Sequence, residues 1–159
     1  MSNEVKGDLL STKIQVADWE RSVPQAFRKD SLWKIKAYRL GLFVSDIGWN
    51  DVTKLSGDKR TSHVASQLYR ALGSISANIA EGYSRSTGRA KALYFEYALG
   101  SARESRDWYY KGRFVIREEI INHRLDILTQ IIRLLLTMLP QQRKRDRKGE
   151  AFSEYVIER

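Results

Sequence analysis

The sequence predicts an all-α protein whose centre is a four-helix bundle. Apolar residues recur at spacings of three and four through the central region, which is the period of helices with one buried face. The two prolines, Pro24 and Pro140, lie on either side of that region, so nothing inside it forces a helix to break. With 159 residues the chain is long enough for one ordinary domain with its own core.

The first predicted helix covers residues 31–47, behind Asp30 or Ser31 as the N-cap. Its apolar residues fall mainly three and four apart: Leu32, Ile35, Tyr38, Leu42 and Phe43. The polar stretch 50–60, which contains Gly57, is typical of a turn and predicts a loop.

The second predicted helix covers residues 62–81 and the third covers 88–115. The seam of the second consists of Val64, Leu68, Ala71, Ile75 and Asn78. Gly82 follows where a helix commonly ends on a left-handed glycine cap. The seam of the third is rich in small residues and consists of Phe95, Ala98, Ala102, Ser105, Tyr109 and Gly112. A neighbouring helix can therefore approach it closely.

The fourth predicted helix covers residues 118–139 and ends at Pro140. Two apolar tracks run along it, formed by Ile121, Leu125, Leu128, Ile132, Leu135 and Leu139, and by Ile120, Ile127, Ile131, Leu134 and Met138. So wide an apolar arc favours contact with another subunit, because exposed apolar patches mark interfaces. The alternative is a deeply buried central helix.

Composition narrows the classes of function. The chain has no cysteine, which excludes disulfides, thiolate zinc sites and thiol catalysis and fits the cytoplasm. No apolar run has the length of a signal peptide or a membrane span, so we expect a soluble protein without membrane contact. With 28 basic and 19 acidic residues, the net charge of +9 favours a polyanionic partner such as RNA, DNA or an anionic membrane surface.

Catalytic and metal-binding patterns are weak. Glu119 and His123 are four apart rather than in the Glu-x-x-His spacing of di-iron bundles, and the other histidine, His63, lies in no such pair. No serine lies in a nucleophile elbow, and no phosphate-binding loop occurs. We therefore predict a protein that is not an enzyme and has no cofactor, no metal and no small-molecule substrate.

The positive charge is concentrated in two segments. Residues 85–117 hold eight basic residues against three acidic ones, and residues 143–148 hold five against one. Trp108, Tyr109 and Tyr110 lie among them, and arginine with aromatic rings suits phosphate gripping and base stacking. The predicted nucleic-acid-binding residues are Arg85, Arg89, Lys91, Arg103, Arg106, Lys111, Arg113, Arg117, Arg143, Lys144, Arg145, Arg147 and Lys148. For any one of them, an ordinary solvated surface explains the charge equally well.

The second and third helices carry a recognisable pattern. It consists of Gln67-Leu68-Tyr69-Arg70-Ala71, Ser74-Ile75-Ser76-Ala77-Asn78-Ile79-Ala80-Glu81-Gly82, Arg85, Tyr94-Phe95, Ala98-Leu99-Gly100-Ser101 and Glu104. This pattern resembles the four-helix bundle family named after proteins encoded in intervening sequences of bacterial 23S ribosomal RNA genes. That family also includes the accessory variability proteins of diversity-generating retroelements.

The resemblance covers roughly residues 28–139. It implies an antiparallel up-down bundle that assembles into a barrel-like homopentamer with a basic surface. For the retroelement branch it further implies binding to a reverse transcriptase and its template RNA. The polar lead into the second helix is longer than the family's usual one and lacks its proline, and both ends of the chain fall outside the match.

The structural residues of the pattern are Asn78, Glu81, Gly82, Gly100 and Ser101. A buried amide at Asn78 would penalise wrong helix alignments, because it must find partners in an apolar seam. A ligand site is the alternative. We favour the structural role, since Glu81 at a helix end can bond the backbone or an arginine such as Arg85.

Together these features predict three segments: an N-terminal extension (1–27), the bundle (28–142) and a basic C-terminal tail (143–159). The predicted function is a non-catalytic RNA-binding oligomeric scaffold that resembles the accessory subunit of a reverse transcriptase. The alternative is a protein-interaction or assembly module that does not bind nucleic acid, and DNA binding through the tail is a third option.

Overall fold

The computed structural model describes residues 15–148, with side chains described as far as residue 144. Six α-helices and one 3₁₀ turn follow one another in this range, and it contains no strand. They are α1 (Val16–Ser22), α2 (Gln25–Arg28), the 3₁₀ turn (Ser31–Lys34), α3 (Lys36–Ser56), α4 (Ser62–Tyr83), α5 (Gly88–Lys111) and α6 (Glu118–Lys148). The predicted all-α class is confirmed.

Each of the four long helices, α3 to α6, packs against the next, and α3 also contacts α6. Their inner faces supply one continuous core, with Phe43, Leu72, Phe95 and Leu135 fully buried. Burying a side chain of this size stabilises a fold by about 1.5–3 kcal/mol, so the core rather than helix propensity holds these helices. The up-down arrangement and the pentamer remain predictions.

Helix α3 begins and ends later than the sequence predicted. Residues 31–34 form the 3₁₀ turn, and the Oδ1 atom of Asp30 accepts the backbone N–H of Leu32 at 2.8 Å. Most of the predicted loop at 50–60 belongs to α3, because Val52 and Leu55 are buried and continue the helical period past the polar residues. The loop prediction is therefore wrong for residues 50–56.

Gly82 is not a left-handed cap. It lies inside α4, which ends one residue later, and its φ is not in the left-handed region. A Cβ at this position would lie 2.9 Å from ring atoms of Phe95 and 3.0 Å from the Cβ of Tyr94. The glycine is therefore needed for the close approach of α4 and α5.

The ends of α5 and α6 also differ from the prediction. Helix α5 ends at Lys111, four residues early, with Gly112 packed against Leu55. Helix α6 passes through the exposed Pro140, the predicted end, because Met138, Leu139 and Gln142 are buried on both sides of it. The packing of the residues on both sides of Pro140 outweighs the loss of the backbone hydrogen bond that a proline cannot donate in a helix.

The apolar arc of α6 is covered within the chain. Nine of the eleven residues in the two tracks are buried, and the other two, Leu125 and Leu134, are partly buried against the core. The alternative of a deeply buried helix therefore explains the arc. The sequence analysis inferred self-association from the width of this apolar face. Because the face is covered within the chain, that inference does not follow.

Helix α1 packs on α3 through Trp19, which is buried. Its Nε1 atom donates to Oδ2 of Asp46 at 2.8 Å, and its ring lies 5.3 Å from that of Phe43, centre to centre. Glu20 accepts the Nε–H of Arg39 at 2.8 Å. Part of the predicted extension thus contacts the core, and the predicted boundary at residue 142 falls inside α6. The division into three segments otherwise remains a prediction, and residues 1–14 and 149–159 lie outside the described residues.

Candidate nucleic-acid interface

Two arginines stand out on the outer surface of α5. Arg103 and Arg106 are exposed, and neither side chain makes a hydrogen bond or ion pair with residues 15–144, the part of the chain whose side chains are described. With Asp107, Tyr110 and Leu125 of α6 they line an open groove of about 480 Å³. Asp107 is paired with Lys111 at 2.6 Å, so the net charge that the groove presents is positive.

A second cavity of about 490 Å³ lies further along the boundary between α5 and α6. Arg89, Leu93 and Glu96 line it from α5, and Arg143 from α6. Arg143 forms an ion pair with Glu96 across the two helices. The two cavities place four of the predicted binding residues, Arg89, Arg103, Arg106 and Arg143, along one helix–helix boundary.

Other predicted cations have partners inside the chain. Arg85 binds Glu81 and donates to the hydroxyl of Tyr94 at 2.7 Å, and Arg117 pairs with Glu119 at 2.7 Å. Lys111, besides its pair with Asp107, lies 4.3 Å from the ring centre of Trp108. These ion pairs are exposed, and such pairs are worth about 0–1 kcal/mol, so a phosphate can compete for them.

Five of the remaining predicted positions differ in exposure and in whether their side chains are described. Lys91 is only 8% exposed, so the structure does not support a phosphate contact there. Lys144 is exposed on α6. The side chains of Arg145, Arg147 and Lys148 lie outside the described residues.

The aromatic residues divide between core and surface. Tyr109 is fully buried, and the indole N–H of Trp108 donates to Glu104 at 3.0 Å. Tyr110 is 58% exposed and Phe114 is 83% exposed, and the guanidinium of Arg113 lies 4.0 Å and 4.2 Å from their ring centres. The sequence analysis named Tyr110 and Arg113 but missed Phe114. The only feature of the sequence that points to Phe114 is its position just after the end of α5.

Asn78 and Glu81, two structural residues of the resemblance, make contacts that are local in sequence. Asn78 is half-buried, and its Nδ2 atom donates to the carbonyl of Ser74 in its own helix at 2.8 Å. The seam position belongs to Ile79, so the amide does not align α4 with a neighbour. Glu81 forms an ion pair with Arg85, one of the partners expected for it, and its structural role stays a prediction.

The two remaining members lie on the outer side of α5. Gly100 is exposed, and a Cβ there would meet open space. The hydroxyl of Ser101 donates to the carbonyl of Tyr97 at 3.0 Å. Neither residue contacts a neighbouring helix through these features.

A buried polar network joins three helices, and the sequence reading missed it. Asp51 of α3 accepts at Oδ2 from the hydroxyl of Tyr109 at 2.9 Å and from Nε of Arg124 at 2.8 Å. Asp51 is 1% exposed, Arg124 6% and Tyr109 not at all. Burial, together with the charge of Asp51, raises the pKa of Tyr109 well above its usual value. The tyrosine is therefore a neutral donor at any physiological pH.

His123 extends this network to the surface. Its Nδ1 atom lies 2.7 Å from Nη1 of Arg124, and burial, followed by the charge of Arg124, lowers the pKa of the imidazole. Because a guanidinium can only donate, Nδ1 of His123 accepts this hydrogen bond. The imidazole of His123 thus has a hydrogen-bond partner within the chain.

Within residues 15–148, no group of three histidine, aspartate or glutamate side chains lies close enough to hold a metal ion. Nor is any helix in this range long and apolar enough to cross a membrane.

The fold and the groove define a basic helical-bundle protein. The chain belongs to the 23S rRNA-intervening sequence protein family, whose model matches residues 41–137. It is similar to a crystal structure from Bacteroides thetaiotaomicron, described as a protein with unknown function from the S23 ribosomal protein family. The TM-score is 0.59, with 21% identity, and the match covers 65% of this chain and 97% of the other, a likeness of fold alone. No curated protein matches this chain.

Proposed function

We propose that this protein is a non-catalytic, RNA-binding oligomeric scaffold of the cytoplasm. The observation that carries the proposal is the pair of exposed arginines, Arg103 and Arg106, which lack a carboxylate partner among the side chains of residues 15–144 and line a groove beside Tyr110. Arginine binds phosphate through two parallel hydrogen bonds, and each neutralised phosphate releases counterions. The family name, which refers to ribosomal RNA, is in keeping with an RNA partner.

Recognition in this groove would be by charge and shape. No recognisable base-reading motif occurs in the sequence, and side chains cannot enter the deep, narrow major groove of an RNA helix. Arg89 and Arg143 would extend the phosphate contacts along the same boundary. Binding should therefore weaken steeply as the salt concentration rises.

Reversing two charges in the groove should weaken RNA binding. For Arg103→Glu/Arg106→Glu we expect about tenfold lower affinity for a structured RNA at moderate salt, and a plot of log K against log salt that is shallower by about two. The physical reason is the loss of two phosphate contacts. The measurement is fluorescence anisotropy of a labelled RNA hairpin across a series of salt concentrations.

The matched control is Arg28→Glu/Arg70→Glu, which changes the net charge equally at exposed positions on α2 and α4. It should bind much more tightly than the groove variant. If the unaltered protein shows no salt-sensitive binding to the RNA, the proposed function is wrong.

We further propose that the four long helices run up and down and that five copies form a barrel-like ring. The support is the family resemblance, together with apolar residues left exposed in residues 15–148, among them Leu93, Tyr97 and Leu136. Native mass spectrometry should give five times the 18.4 kDa of one chain. Any other whole-number multiple would contradict the pentamer.

The partner protein we propose is a reverse transcriptase, held by the two ends of the chain, residues 1–27 and 143–159. This part rests on the resemblance to retroelement accessory proteins. The observation that tests it is whether a reverse-transcriptase gene lies next to the gene for this chain.

The rival function is a protein-interaction or assembly module. Exposed aromatic residues outside the basic groove favour it, notably Trp49 and Tyr69, which pack edge to face. The rival would be favoured if Arg103→Glu/Arg106→Glu left biological activity intact while removal of residues 1–27 abolished it.

A further inference from the structure

The most exposed large apolar side chain among the described residues lies in an arginine–aromatic cluster. Phe114 is 83% exposed, and Tyr110, at the end of α5, is 58% exposed. The guanidinium of Arg113 lies within 4.2 Å of both ring centres. We call these three residues the Tyr110–Arg113–Phe114 cluster.

Arg113 is held in place within this cluster. Its Nη1 atom donates to the backbone carbonyl of Tyr110 at 2.8 Å while its plane contacts both rings. A guanidinium fixed in this way loses little conformational freedom when a ligand binds beside it. The cluster therefore presents two exposed aromatic rings beside a positive charge that is already held in place.

We infer that the Tyr110–Arg113–Phe114 cluster binds unpaired nucleobases, so that the protein prefers single-stranded segments of RNA to duplex. This inference rests on the proposed RNA-binding function and states which form of RNA, single-stranded or duplex, binds in the groove. Base faces are accessible for stacking on aromatic rings and arginine planes only where the RNA is unpaired. In a duplex they are covered by neighbouring base pairs.

The groove places phosphate contacts next to the stacking surface. Arg106 and Arg103 lie about one and two helical turns before Tyr110, which lines the same groove. A strand whose base stacks at the cluster can thus lay its backbone along α5. Arg103, Arg106 and Arg113 all lack a carboxylate partner in the described part of the chain, and this charge favours phosphate over an apolar protein surface.

The test compares two forms of one RNA with the full-length protein. Anisotropy is measured with a short labelled strand that lacks self-complementarity, and with the same strand annealed to its complement. The unaltered protein should bind the single strand more tightly. Phe114→Ala should weaken single-strand binding about tenfold and leave duplex binding within about twofold, since one stacked base contributes about that factor.

Two further variants separate stacking from other effects. Phe114→Trp should restore single-strand binding, because it keeps a large ring. Tyr69→Ala removes an exposed aromatic ring outside the cluster, 49% exposed on α4, and should leave both affinities unchanged. The salt dependence of Phe114→Ala should equal that of the unaltered protein, because no cation is removed.

The outcomes distinguish this inference from the proposed function. If the unaltered protein binds neither form of RNA, the proposed function fails. If it binds RNA but Phe114→Ala binds both forms as tightly as the unaltered protein, the inference fails and the proposed function stands. If Phe114→Ala changes the native mass, the cluster is a contact between copies of the chain, and the inference is overturned.

Discussion

Asp51→Asn should lower the free energy of unfolding by about 3–5 kcal/mol, the cost of leaving one member of a buried ion pair without its partner. The substitution keeps the shape of the side chain and removes its charge, so no cavity forms. Arg124, which is 6% exposed, would keep a positive charge in the core. The measurement is urea unfolding followed by circular dichroism at one fixed protein concentration, with the slope m compared between variants.

The matched control is Asp107→Asn, which removes a carboxylate from the exposed pair with Lys111. An exposed pair of this kind contributes about 0.3–0.5 kcal/mol, so the control should differ little from the unaltered protein. Adding Arg124→Met to Asp51→Asn should recover part of the lost stability, because it removes the unpaired charge. If Asp51→Asn and Asp107→Asn were equally stable, the Asp51–Arg124 pair would not lie in the low-dielectric environment that its burial implies.

The buried network also bears on which polar group fixes the alignment of the helices. A polar group that fixes helix alignment was expected at Asn78, but Asn78 bonds within its own helix. Asp51, Tyr109 and Arg124 instead connect α3, α5 and α6, and a shifted register of any of these helices would leave a buried charge unpaired. We infer that this network specifies the alignment.

Apolar periodicity predicted the four long helices, because burial of one face decides where a helix forms. It placed their ends poorly where polar residues lie on the outer face of a helix, as in the last two turns of α3. Pro140 was misassigned for a related reason, since packing on both sides of a proline leaves no mark in local sequence. Asp51 could have been found, because it lies four residues from both Ile47 and Leu55 on a buried face.

The candidate site was predictable as a region of charge but not as a geometry. The density of basic residues from 85 to 117 is visible in the sequence, whereas the exposure of each residue depends on which face of α5 meets its neighbours. Lys91 was therefore predicted to bind nucleic acid although its side chain is buried. Phe114 was missed although its side chain is far more exposed than that of Lys91. Charge is a property of composition, and exposure is a property of packing.

Gly82→Ala should lower the free energy of unfolding by about 1–3 kcal/mol, the usual cost of adding volume to a packed helix interface. The new methyl group would lie 2.9 Å from ring atoms of Phe95, which is fully buried, and 3.0 Å from the Cβ of Tyr94. Neither neighbour is the free end of a flexible chain, so α4 and α5 must move apart. Urea unfolding at fixed protein concentration measures the change.

Gly100→Ala is the opposite case on the same pair of helices. Its Cβ would meet open space on the outer side of α5, so alanine should raise the free energy of unfolding by about 0.5–1 kcal/mol through its better helix propensity. The two substitutions add the same atom and differ only in what surrounds it. If both were stabilising, Gly82 would not be required for close packing of α4 and α5, and its place in the Asn78–Gly82 pattern would need another cause.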